Sequence, residues 1–120
     1  MVDNPLVMAY MGDTIYEQYI REYLIRKGIS KIGELQVKSL DYVSANSQRK
    51  HLERLMDNNF LNEKELDIIK WGRNAKGHKS KNTDVVTYRL ATGLEALIGK
   101  LYFEGNNERI KEIMNFIIGE

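Results

Sequence analysis

The sequence predicts an all-α fold, a single helical bundle, on three observations. Apolar residues recur at three- and four-residue intervals through five segments. No stretch alternates apolar and polar residues as a half-buried strand would. Only one of the 120 residues is proline, too few for a turn-rich β sandwich. Length sets the remaining frame: 120 residues make one core and not two, so residues 1–120 are expected to form one domain.

The elements follow in order. Asn4-Pro5 reads as a helix start, with the asparagine capping and proline in the first turn, where its missing N–H costs nothing. That helix should reach about Lys27 and stop at Gly28. A second helical region runs from about Lys31 to Asn58, with a break where polar and β-branched residues cluster at Asp41–Ser44. Asn62 followed by Glu65 has the spacing of a capping box and opens a helix ending near Gly72. Gly72 to Asn82, polar and basic with two glycines, reads as a loop. Helical patterning resumes from Thr83 to Phe103, and Gly105-Asn106 separates it from a last amphipathic helix, about Glu108 to Ile118.

Composition removes several chemistries. With no cysteine there is no disulfide, no thiolate zinc site and no cysteine nucleophile, which fits a reducing compartment. No apolar run approaches the roughly 20 residues that span a bilayer, and the N-terminus lacks the basic start and apolar stretch of a secretory signal. A cytoplasmic protein away from membranes is the expectation.

Two acids stand where the helical pattern calls for apolar residues. Positions seven apart lie within roughly 20° on a helix, so Leu6, Ala9, Tyr10, Tyr16, Ile20 and Leu24 form one stripe, and Asp13 falls in its middle. Gly12 beside it is a poor helix-interior residue, which implies a close approach by another backbone. In the Thr83–Phe103 helix, Tyr88, Ala91, Ile98 and Tyr102 surround the direction of Glu95, while Thr92 and Gly99 are small enough to admit a neighbour. This helix is apolar nearly all round, as at the centre of a bundle. A carboxylate in such a place needs a partner. Two of them from packed helices would suit a hard divalent cation, Mg2+ with Mn2+ able to substitute. A buried arginine or lysine, or a half-exposed position, would account for either acid equally well, and spacing does not choose between these.

Positive charge is concentrated in the run KWGRNAKGHKSK, Lys70 to Lys81. Without its five Lys and Arg, the chain has thirteen basic against seventeen acidic residues, a net of −4 in place of +1. Such a cluster binds phosphates by charge neutralisation, without reading sequence. Lys70, Arg73 and Asn74 are at helical spacing, and Lys76, His78, Lys79 and Lys81 follow; a solvated basic loop has the same composition. Gln48, Arg49, Lys50 and His51 form a weaker cluster. Trp71 reads as a core anchor, and His51 and His78 have no spaced partners for a zinc site.

The runs AYMGDTIYE (Ala9 to Glu17), GRNAK (Gly72 to Lys76) and NTDVVTYRLATGLEALIGKLY (Asn82 to Tyr102) resemble Mini-ribonuclease III, the compact bacterial branch of the ribonuclease III family. The resemblance covers nearly the whole chain in order. It implies the all-helical ribonuclease III endonuclease domain, working as a homodimer, with divalent metal and no separate double-stranded RNA-binding domain. It implies hydrolysis of double-stranded RNA to 5′-phosphate and 3′-hydroxyl ends, in maturation of the large-subunit ribosomal RNA precursor. The family's GD aspartate matches Asp13 and the glutamate of its EALIG motif matches Glu95, as catalytic residues and metal ligands. Two further acids of the longer enzymes correspond to Ala9 and Thr92, so metal binding is expected to be weak and water-mediated. Those departures keep a second class open, a ribonuclease III-like module that binds RNA without cutting it. A helical protein-interaction module is a third.

Overall fold

The computed structural model describes residues 3–76 and 84–119. Among them six helices follow in chain order: α1 (Pro5–Arg26), α2 (Ile32–Val43), α3 (Ala45–Asp57), α4 (Glu63–Arg73), α5 (Val85–Phe103) and α6 (Asn107–Ile118). The described residues contain no strand, as the patterning predicts.

The start of α1 is set by its cap: Asn4 Oδ1 accepts from the N–H groups of Leu6 (2.9 Å) and Val7 (3.3 Å). The helix ends one residue before the expected Lys27, and Gly28 turns the chain at φ +104°. The second helical region resolves into two helices meeting at Ser44. That residue is extended (φ −64°, ψ 153°), and its Oγ accepts from the Ser47 N–H at 3.2 Å to cap α3. No residue of α2 is buried.

Both halves of the capping box form on α4: Glu65 N–H donates to Asn62 Oδ1 at 2.8 Å, and Asn62 N–H to Glu65 Oε1 at 2.9 Å. The Glu65 carboxylate also receives Arg109 of α6, Nε to Oε2 at 2.7 Å and Nη2 to Oε1 at 2.8 Å. The same Nη2 donates to the Phe60 carbonyl at 2.6 Å. This forked ion pair joins the start of α4 to α6 and leaves no unsatisfied oxygen on a 3% exposed acid.

The expected loop begins too early. Gly72 and Arg73 are the last residues of α4, not the first of a loop. The glycine there serves packing: a Cβ on Gly72 would lie 2.8 Å from Ala96 Cβ and 3.0 Å from Gly93 Cα of α5, and one on Gly93 2.6 Å from the Ile69 carbonyl. Glycine in both helices lets them approach more closely than alanine would permit.

At the centre lies α5, capped by Asp84, which accepts from the Thr87 N–H (2.9 Å) and hydroxyl (2.8 Å). Helices α1, α3, α4 and α6 all pack on it, and ten of its nineteen residues are buried. Leu94, Leu97 and Ile98 meet Tyr16, Ile20, Leu52, Leu55, Ile113 and Met114 in the main core. Trp71 packs against Met8, Ala9 and Ala96 beneath the Lys100 ammonium (5.6 Å to the ring centre), in the anchoring role its sequence context suggests.

Candidate active site

The contact between α1 and α5 is made by backbone. A Cβ on Gly12 would overlap the Glu95 carbonyl, and one on Gly99 the Met8 carbonyl. The close approach inferred from Gly12 is therefore to the residue before Ala96, namely Glu95 itself. Asp13, next along α1, is brought close enough to the Glu95 side chain for the two carboxyl groups to interact.

The surroundings of Asp13 differ from the sequence expectation. The buried face of α1 is Met8, Ala9, Gly12, Ile15, Tyr16, Ile20 and Leu24. Asp13 is exposed, and Tyr10 is 81% exposed. Angular position along α1 is as the pattern gives it, but burial is not constant along one face. Ile20 and Leu24 lie in the main core, whereas the same face is open to solvent at Asp13. The pair thus has a half-buried member, Glu95, and an open one.

This asymmetry sets the electrostatics. Burial, the hydrogen bond to Asp13 and the charge of Asp13 push the Glu95 carboxyl up to about 9, with a smaller push from Glu17. At neutral pH and without a cation, Glu95 therefore holds its proton. Neither acid belongs to an ion pair among the described residues, so the buried Arg or Lys that would have explained them is absent from that set. Tyr16, fully buried beside them, donates its hydroxyl to the Tyr42 carbonyl at 2.7 Å, and burial pushes its phenol up.

One side chain at the site is named in the sequence only as a member of the weaker basic cluster. Gln48 of α3 is 2% exposed, and its Nε2 donates to Glu95 Oε2 at 3.5 Å, which opposes the upward shift. Grouping Gln48 to His51 as a basic cluster is corrected by this geometry. Arg49 turns to the Thr87 hydroxyl (2.8 Å) and Glu53 (3.8 Å). His51 stacks on Tyr42 (5.7 Å between ring centres) with its Nδ1 on Arg54, and burial lowers its pKa. Only Lys50 remains an exposed cation facing solvent. The test that exposed Asp13 would have found Gln48 too, since Leu52 and Leu55 continue its face at helical spacing.

The donor set fits a hard cation. Two carboxylates from two rigid helices, one open to water, match the one or two protein oxygens that Mg2+ takes while keeping several waters. No group of three or more His, Cys, Asp or Glu among the described residues could hold a metal, so the protein's share of any such shell is small.

Of the basic stretch, Lys70, Asn74 and Lys76 are exposed and Arg73 is half-buried, its Nε donating to Asn74 Oδ1 at 3.2 Å. They close or follow α4, whose Gly72 abuts Ala96, the neighbour of Glu95. His78, Lys79 and Lys81 lie outside the described residues. Positive charge in the last turn of α4 also complements the helix dipole.

Residues 6–106 match the family model described as the ribonuclease III domain. The chain is 50% identical over 116 residues to the Mini-ribonuclease 3 of Staphylococcus aureus, covering 96% of this chain and 87% of that protein. It is 41% identical over 116 residues to the Streptococcus pneumoniae Mini-ribonuclease 3, with 96% and 91% covered. An X-ray structure of a Fusobacterium nucleatum protein superposes with a TM-score of 0.86 at 32% identity, covering 98% of this chain and 94% of that one.

Proposed function

For a chain that belongs to the ribonuclease III family, in its Mini-ribonuclease 3 branch, we propose an endonuclease that hydrolyses double-stranded RNA with Mg2+, leaving 5′-phosphate and 3′-hydroxyl ends. The observation that carries this reading is the contact between Asp13 and Glu95 with no cationic side chain among the described residues to neutralise them. A bound Mg2+ (or Mn2+) would supply a more acidic water and offset charge developing on the phosphate. To receive it, Glu95 gives up the proton it holds at its carboxyl, so cation affinity rises with pH. Asp13, open to solvent, faces incoming substrate, while Glu95 is fixed by the α1–α5 seam.

The RNA is held by shape and charge. A-form duplexes hide their bases in a deep groove, so phosphates and 2′-hydroxyls are what a protein of this size contacts. Lys70, Arg73, Asn74 and Lys76, with His78, Lys79 and Lys81 beyond them in sequence, are assigned to phosphates. Replacing Lys76, Lys79 and Lys81 with Ala should weaken binding across sequences and lower the salt slope by roughly one per lost contact; an unchanged slope would move the contacts elsewhere.

Two copies are proposed to act together, each cutting one strand. Tyr10 and Val7, 81% and 45% exposed on α1, offer apolar surface next to Asp13 for the second copy, and sedimentation of Tyr10→Asp checks it. The substrate is assigned to the large-subunit ribosomal RNA precursor, in the cytoplasm. No helix among the described residues is long and apolar enough to cross a membrane.

The deciding experiment compares wild type with Asp13→Asn on a long RNA duplex in Mg2+. Binding should persist and cleavage should fall about a thousandfold, the scale of several kcal/mol of charge stabilisation. Equal cleavage by the two would refute the assignment; binding by both with cleavage by neither would make the chain a non-cutting RNA-binding module.

A further inference from the structure

Gln48 occupies a place where the fold asks for a hydrocarbon. It shares a face of α3 with Leu52 and Leu55, both fully buried, and is itself 2% exposed. Among the described residues its amide has one hydrogen-bond partner, Glu95 Oε2 at 3.5 Å. A buried amide is costly unless it is bonded, and leucine would extend the apolar face at no such cost. The Glu95 carboxyl is therefore what accounts for an amide here.

The amide also stands on a fixed arm. Ser44 caps α3 four residues earlier, and Arg49 ties the helix to α5 through the Thr87 hydroxyl at 2.8 Å. Leu52 and Leu55 lock the rest of that face in the core. A lysine or arginine reaching Glu95 from this arm would form an ion pair and compete with an incoming cation. An amide gives one hydrogen bond and leaves the carboxylate charge available.

We propose that Gln48 is a positioning residue, whose buried amide on α3 holds the Glu95 carboxyl in the orientation that, together with Asp13, receives the divalent cation. This rests on the cation-binding reading above. It assigns the site a third helix and explains how two acids can make a usable site without a further carboxylate.

The test uses Mn2+ binding to the full chain without RNA, followed by electron paramagnetic resonance of the free ion. Wild type should bind and Asp13→Asn should not. Gln48→Met, which keeps volume and removes the donor, should bind about tenfold or more weakly, with an unchanged circular dichroism spectrum. Its cleavage should need correspondingly more Mg2+, while KM for the duplex stays at the wild-type value. Wild-type affinity for Mn2+ in Gln48→Met, with Asp13→Asn silent, would overturn the positioning role alone. Absence of any Asp13-dependent Mn2+ binding in wild type would overturn the underlying reading and this one with it. A measurement on wild type guards against a variant that fails to fold: the Gln48 side-chain amide resonance should move when Mg2+ is added, and a stationary resonance refutes the proposal.

Discussion

Two glutamates sit in the interior of this bundle and are treated in opposite ways. Glu65, at the start of α4, is gripped by Arg109 through two hydrogen bonds and by the Asn62 N–H. Burial alone would raise its carboxyl, but those bonds and the guanidinium charge together hold it below its ordinary value. Glu95, in the middle of α5, has an acid and an amide for neighbours, and burial with Asp13 pushes it up to about 9. The first carboxylate is complete, and everything that neutralises it is on the chain. The second has no cationic partner among the described residues and holds its proton instead. An acid left without a cation, in a fold that supplies one to another buried acid, is a functional-site candidate.

The comparison breaks most visibly in catalysis. Glu95→Gln should cost cleavage about a thousandfold, as expected when several kcal/mol of metal-assisted stabilisation is lost, while Glu65→Gln should cut at nearly the wild-type rate at low temperature. Rates on one RNA duplex at saturating Mg2+ check both, and a large catalytic loss in Glu65→Gln would erase the distinction. Stability should reverse the ranking. Glu65→Gln breaks the buried ion pair of Arg109 and leaves its guanidinium only the exposed Glu112 at 3.1 Å, at a cost of about 3 kcal/mol, the lower end for a broken buried pair because a fifth of the arginine remains in water. Thermal unfolding should show this as a Tm lower by roughly 10 °C, whereas Glu95→Gln in metal-free buffer should not fall below wild type.

How much of this was legible in the sequence depends on the range of the interaction. Caps and breaks are local, so Asn4, Ser44 and the Asn62–Glu65 box are written in neighbouring residues and the structure follows them. The packing role of Gly72 is hidden because its partners are distant along the chain and adjacent in space: it contacts Gly93 and Ala96 of α5, and a loop-like composition masks that. For α1 the angular pattern placed Asp13 and Glu95 on facing sides, but periodicity carries no information on where along a face burial stops, so Asp13 was expected inside and lies open. The Arg109–Glu65 pair was invisible for a related reason. Its partners are 44 residues apart, and nothing local to Arg109 distinguishes it from a solvated arginine on an amphipathic helix.

The smallest effect is the most discriminating, because the two glutamates should give pH dependences of opposite sign. A carboxyl raised from its ordinary 4.5 to about 9 binds its proton more tightly in the folded state than in the unfolded one. Its contribution to stability is full below pH 4.5 and is lost as pH rises toward 9. A carboxyl held low, as Glu65 is, contributes fully above the unfolded value and loses that contribution as pH falls through its folded one. Metal-free wild type should therefore unfold more easily at pH 8 than at pH 6, by at most about 1.4 kcal/mol per pH unit, the limit for one proton. Glu95→Gln should flatten that alkaline slope and leave the acid side unchanged, and Glu65→Gln should do the reverse. Adding Mg2+ at pH 8 should restore wild type, because the ion binds the ionised carboxylate of the folded state and not the unfolded chain. It should leave Glu95→Gln where it was. Melting curves at four pH values with and without Mg2+ contain the whole comparison, and an alkaline slope that survives in Glu95→Gln would show that the proton lost there belongs to another group.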